Sequence, residues 1–286
     1  MKCMSLFTAL VALGILFFCS SDYRAKSSPI NSKDDTVVVR NYLQKYFKDC
    51  NVNGTIVIFD NNKQQWIVSD TIGAKMETLP ASTFKILNLL VALETDVIAD
   101  ENELVQWAGR KDTAEYGYRP EIYHDMTVKE AFDVSAVWAF IELAKRIGKD
   151  NYKKYLTSCN YGNLNLSHQG DDFWNFGALG ISPVNQVQFV RKLYENKLPF
   201  SREHMEIVKR VMVVEQKDGY LIHAKTGWTS KNGINIGWWV GYLEKNKTVY
   251  FFATRLLQDE KSNNPNFGTC RKEITMTVFR DLGIID

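Results

Sequence analysis

Ser82-Thr83-Phe84-Lys85 puts a hydroxyl and an amine three residues apart at the start of a segment dense in apolar residues. On a helix, that spacing places both side chains on one face. The amine then stands beside the hydroxyl, and an adjacent base is what turns an inert serine into a nucleophile. Lysine is a demanding choice of base, because its ordinary pKa near 10.4 leaves it a cation at neutral pH. Freeing the amine requires a drop of roughly three units, about 4 kcal/mol, and full burial supplies shifts of that size. Phe84, Ile86 and Leu87 surround Lys85 in the sequence, so burial is expected. A neutral buried amine also combines with carbon dioxide to give a carbamate, an anion with carboxylate-like oxygens. Taken alone, Ser82 fits a helix N-cap equally well.

Three further groups follow in order: Ser135-Ala136-Val137, Tyr161-Gly162-Asn163 and Lys225-Thr226-Gly227. The last closes a predicted strand. Its glycine allows a ligand to lie against the backbone, while Lys225 and Thr226 offer a cation and a hydroxyl to an anionic substrate group. Tyr161-Gly162-Asn163 fits a turn. The ordered set resembles the motifs of class D serine β-lactamases, the oxacillinase type. Its second motif is Ser-Ala-Val, where class A enzymes and penicillin-binding proteins carry S-D-N between SxxK and K-T-G. Pro80-Ala81, Phe173-Trp174, Gly237-Trp238-Trp239-Val240-Gly241 and Arg271 extend the likeness, which runs from about Gly54 to Ile284.

The resemblance implies hydrolysis of a β-lactam amide through an acyl-enzyme on Ser82, with resistance to these antibiotics as the consequence. It implies a carbamylated Lys85 as general base, a hydrogen bond to it from Trp174, and a proton relay through Ser135 and Lys225. Backbone N–H groups of Ser82 and Trp228 would form the oxyanion hole. Val137, Thr226, Gly227, Trp228 and Arg271 would line the substrate site, with Thr226 and Arg271 on the substrate carboxylate. No cofactor is implied beyond carbon dioxide or bicarbonate as the carbamate source. The implied partner is a small-molecule β-lactam, with no metal, and the oligomeric state is left open. Class A enzymes deacylate with a glutamate acting through a water, whereas Trp174 to Leu193 contains no Asp or Glu. One position departs from the pattern: Asn175 follows the Trp where the family often has leucine. Two other readings use the same motifs, a penicillin-sensing domain that holds its acyl group and a small penicillin-binding protein.

The chain has 286 residues, a net charge of +2 and 45% hydrophobic residues. This is an ordinary globular composition, and its near-balanced charge gives no argument for nucleic acid. Met1-Lys2, an apolar run from Ser5 to Phe18 and Cys19-Ser20-Ser21 have the form of a secretory signal peptide, so residues 1–21 are expected to be a leader and 22–286 one catalytic domain of two discontinuous regions. The expected location is exported and periplasmic. An uncleaved anchor and lipid attachment at Cys19 are the alternatives. Beyond the leader, Cys50, Cys159 and Cys270 are expected to be mostly free, with room for one disulfide in an exported protein. His124, His168, His204 and His223 are dispersed and form no metal-ligand pair.

Helices are expected over Val37–Phe47, Ser82–Leu93, Val128–Ile147, Pro183–Tyr194 and Arg271–Leu282, and strands over Thr55–Phe59, Gln65–Ser69, Tyr220–Thr226, Ile234–Leu243 and Val249–Leu256. The predicted fold class is α+β: an antiparallel sheet built from both chain ends with a helical region inserted, like the serine β-lactamases and penicillin-binding transpeptidases.

Overall fold

The computed structural model describes residues 36–109, 116–217 and 219–286; the predicted leader and the polar stretch after it lie outside these. A seven-stranded sheet runs in the order β1-β3-β2-β9-β8-β7-β6. Its strands are β1 (Thr36–Val39), β2 (Asn53–Asp60), β3 (Gln65–Val68), then, after the short β4 (Leu104–Val105) and β5 (Met126–Thr127) pair, β6 (Val213–Lys217), β7 (Tyr220–Lys231), β8 (Ile234–Lys245) and β9 (Thr248–Asp259). The β2–β9 pairing joins the early and late parts of the chain, in register from Asn53↔Leu257 to Asp60↔Tyr250. The α+β expectation therefore holds.

Both faces of the sheet are covered, and alternation along each strand divides the core. Ile56, Ile58, Trp239, Leu243, Phe252 and Leu256 face α1 (Gln44–Asp49) and the closing helix Phe267–Asp281. Val57, Phe59, Trp238, Val240, Phe251 and Ala253 face the inserted helices. At the centre of those is α2 (Lys85–Glu94), buried at Lys85 and on through Leu93. Around it lie α3 (Val128–Asp133), α4 (Val137–Ile147), α5 (Lys149–Cys159), α6 (Phe173–Phe176), α7 (Pro183–Tyr194) and α8 (Arg202–Val211); the closing helix is α9. Ser182 caps α7 by accepting from Asn185 N, with Pro183 preset for the first turn.

Three expectations need correction. Val37–Phe47 is not one helix: Thr36–Val39 is a strand, parallel to β3, and helix begins only beyond Arg40. A run of β-branched Thr and Val prefers the pleated edge. Val128–Ile147 is two helices, broken at Ser135, which takes a φ of +58°. The cysteines are not mostly free, since Cys50 and Cys270 form a disulfide and Cys159 alone is a buried thiol. The two partners are 220 residues apart in sequence, and meet because α1 and α9 pack on the same face of the sheet.

Candidate active site

Ser82 is not a helix cap. It sits within a 3-10 turn, Ala81–Phe84, that leads into α2. Ala81 enters this turn with a φ of +50°, a conformation that costs a residue with a Cβ. The surroundings hold it there. Trp238 Nε1 donates to Leu79 O at 2.9 Å, Thr83 Oγ1 to Pro80 O at 2.6 Å, and Gln186 Nε2 to Thr83 Oγ1 at 2.8 Å. Below the turn, the Phe84 ring lies among Tyr152, Tyr161, Phe173 and Trp174, with centroids 5.7, 5.7, 5.2 and 5.3 Å away. Ser82 thus projects from a rigid base into a cleft.

Lys85 Nζ lies 2.8 Å from Ser82 Oγ. The lysine is fully buried, with its amine 5.2 Å from the Phe140 ring centroid. Burial drives its pKa well below the usual lysine range, and the charges of Lys225 and Arg119 push in the same direction. Trp174, also fully buried, stacks on Phe84 and leaves its indole N–H without a partner among the described residues.

The break between α3 and α4 turns Ser135 toward β7. Lys225 Nζ donates to Ser135 Oγ at 3.1 Å. Burial first, then Arg271, lower the Lys225 pKa to about 7, against an opposing pull from Asp133. Two neutral-leaning lysines therefore flank the cleft, each paired with one serine. Gly227 has a steric reason: a Cβ there would meet Pro80 O at 3.1 Å and Ser82 N at 3.3 Å. Arg271 Nη1 donates to Gly227 O at 2.6 Å; burial brings its pKa down to about 10, and its Nε–H has no partner among the described residues.

The resulting cleft has a volume of about 680 Å³ and is lined by Ser82, Ser135, Val137, Thr226, Trp228 and Arg271, among others. Lys85, Lys225 and Trp174 are buried behind that lining. The ten residues singled out from the sequence thus gather at one place. The third motif has a different part. Tyr161 packs edge-on beneath Phe84, Gly162 N donates to Asn185 Oδ1 at 2.6 Å, and Asn163 Oδ1 accepts from Gly180 N at 3.0 Å. It braces the wall and does not line the cleft. Asn175 is buried and lines the cleft, its backbone carbonyl held by Thr229 Oγ1 at 2.8 Å. His223 stacks on Tyr242, and its Nδ1–H donates to Lys209 O, 2.8 Å away.

Arg119 was not marked by any sequence signal. It lines the cleft, and its Nη2 donates to Val134 O at 3.2 Å, one residue before Ser135. No local motif announces a side chain that reaches a turn from a separate loop.

A family model described as the penicillin-binding protein transpeptidase domain matches residues 53–279. The chain is 39% identical over 237 residues to the β-lactamase OXA-10 of Pseudomonas aeruginosa, covering 82% of this chain and 86% of that relative. It is 37% identical to OXA-48 of Klebsiella pneumoniae, over 84% of this chain and 87% of that one. The crystal structure of a class D β-lactamase from Sebaldella termitidis superposes with a TM-score of 0.83 at 39% identity, covering 88% of this chain and all (100%) of that one. FUS-1 (OXA-85), a class D β-lactamase of Fusobacterium nucleatum subsp. polymorphum, superposes with a TM-score of 0.79 at 31% identity, over 87% and 100%.

Proposed function

Since the chain belongs to the class D β-lactamases, we propose that it hydrolyses the amide bond of penicillin-type β-lactams through an acyl-enzyme on Ser82. The observation that carries this reading is the 2.8 Å contact between the Ser82 hydroxyl and a fully buried lysine whose pKa is depressed. An amine neutral at working pH is able to take a proton; an ordinary lysine cation is not.

The site also suits carbon dioxide on Lys85. Trp174 keeps a buried N–H without a partner among the described residues, an arrangement that costs about 1–3 kcal/mol unless an acceptor arrives. A carbamate on Lys85 would supply anionic oxygens for that N–H, and would serve as the base for both acylation and deacylation. The carboxylates at the cleft are mostly engaged elsewhere: Asp172 with Tyr116 Oη at 2.6 Å and His168 at 3.1 Å, Glu142 with Lys145 at 2.6 Å.

Ser82 Oγ attacks the lactam carbonyl. The backbone N–H groups of Ser82 and Trp228 take the developing oxyanion; one such donor is worth about 3–4 kcal/mol. Ser135 and Lys225 form a hydrogen-bonded pair that passes a proton to the leaving nitrogen. Thr226 and Arg271 hold the substrate carboxylate, and the unpartnered Nε–H of Arg271 is a free donor for it. Water then releases the product acid. We further propose export to the periplasm behind a cleaved leader, with lipid attachment at Cys19 as the variant arrangement, and antibiotic resistance as the outcome.

A chromogenic cephalosporin tests the reading on the purified protein. Multiple turnovers, raised by added bicarbonate and lost in Ser82→Ala, are expected. A single stoichiometric burst would instead identify a penicillin sensor or a penicillin-binding protein. Loss of deacylation in Asp171→Asn would move the base away from Lys85.

A further inference from the structure

We infer that the Cys50–Cys270 disulfide is a positioning element for substrate recognition, fixing the first turns of α9 so that Arg271 stays aimed at the carboxylate-binding end of the cleft. The inference rests on the reading of Arg271 given above.

Cys270 immediately precedes Arg271 on α9. The body of that helix is held by burial: Ile274, Val278 and Phe279 pack into the core under the sheet, and Thr275 Oγ1 lies 2.6 Å from Thr254 Oγ1. Its leading end is buried in the same core at Phe267 and Cys270 only. The chain arriving at it, Glu260 to Asn266, is exposed apart from a half-buried Asn264. Three contacts fix that end. Phe267 packs on Trp228 with centroids 5.0 Å apart, Asn264 Nδ2 donates to Cys50 O at 3.0 Å, and Cys270 is bonded to Cys50. Two of these three converge on Cys50, at the end of α1. Only the disulfide acts one residue from Arg271.

The guanidinium needs such a tie. Arg271 Nη1 spends itself on Gly227 O, on the strand that carries Thr226, and Nε remains unpartnered. No acidic side chain is bonded to it among the described residues, so its direction is set by that one bond and by where the backbone of α9 starts. Gly268 makes the seat tight: a Cβ there would lie 3.2 Å from the Trp228 ring. A shift of the helix end would move Arg271 and loosen the Trp228 ring packed against it, while the Trp228 backbone stays in its β7–β8 pairing beside Ser82.

The experiment compares wild type, Cys50→Ser, Arg271→Ala and the double variant on a penicillin and on its methyl ester. For Cys50→Ser we expect KM for the free acid to rise about 3- to 10-fold, in the lower part of the range of coupling between residues that act together, with kcat little changed and KM for the ester unmoved. In the Arg271→Ala background the serine substitution should add nothing. Equal effects on acid and ester, or full additivity with Arg271→Ala, would show a merely structural bond and overturn the inference. So would a folded Cys50→Ser enzyme with wild-type KM. If Cys50→Ser does not fold, the folded wild type is reduced with dithiothreitol, which closes to its cyclic disulfide as Cys50 and Cys270 become thiols. The same acid-against-ester comparison then decides. The parent readings fail separately: wild type with no turnover would sink the proposed activity, and a wild-type KM indifferent to esterification would sink the role of Arg271.

Discussion

Gly227 and Ser82 approach so closely that a Cβ on residue 227 would stand 3.3 Å from the Ser82 amide nitrogen. That nitrogen is one of the two proposed oxyanion donors, and the other belongs to Trp228, the next residue along the strand. The glycine therefore sets the width of the oxyanion hole. Gly227→Ala would push β7 off the turn that bears Ser82, since the other obstacles are the Pro80 carbonyl and the Ala81 Cβ at 3.1 and 3.2 Å. The expected outcome is a fall in kcat of about 10²-fold, the cost of one misplaced donor. Steady-state kinetics beside a thermal melt would separate this from unfolding.

Trp174→Phe keeps the ring beneath Phe84 and removes the buried N–H. A hydrogen bond to a charged group is worth about 1.5–3 kcal/mol, so carbon dioxide should bind Lys85 roughly 10- to 100-fold more weakly. Activity should drop at ambient bicarbonate and recover at high bicarbonate. The carbamate carbon signal from protein in ¹³C-labelled bicarbonate should fade in parallel. Activity untouched by the substitution would remove Trp174 from the site.

Lys225 titrates near 7 in the folded protein, against 10.5 as an ordinary lysine. Between those values the unfolded chain binds more protons than the native one, so stability must rise with pH across the window. The buried Lys85 is shifted in the same direction. Urea midpoints measured through that window should climb with pH, and Lys225→Met should flatten part of the slope. Activity carries the same sign: acid protonates Lys225, so the rate should fall as pH drops through about 7.

Arg119 ties Val134 O and with it the turn that presents Ser135. The contact is exposed and shared with an ion pair to Glu121 at 2.8 Å, so its worth is at most about 1 kcal/mol. Arg119→Met is expected to lower kcat about fivefold while leaving the melting temperature near wild type. A change in KM alone would assign Arg119 to substrate contact instead.

Covalent closure of a 220-residue separation contributes about 5 kcal/mol in the chain-entropy model. Cys50→Ser and Cys270→Ser should therefore lower the urea midpoint alike, a result that equilibrium unfolding under oxidising conditions would check.

The sequence by itself carried the chemistry of this protein. Ser82 and Lys85 lie three residues apart, so any helical turn brings them together. Lys225-Thr226-Gly227 lies on a strand whose alternation is plain, although β7 runs on to Lys231 and does not end at the motif, and Ser135-Ala136-Val137 falls in the right order between them. The long strands and α7 were legible for the same reason, since period and caps are local properties. The tertiary structure decided what depends on distant partners. It broke Val128–Ile147 at Ser135 with no glycine or proline to mark the place, where the serine's hydroxyl accepts from Lys225 on β7. It made Thr36–Val39 a strand by pairing it with β3. It joined Cys50 to Cys270, and it brought Arg119 to Val134. Above all it buried Lys85 and Lys225: spacing names an amine beside a hydroxyl, but only desolvation by packed neighbours lowers its pKa enough for it to act as a base.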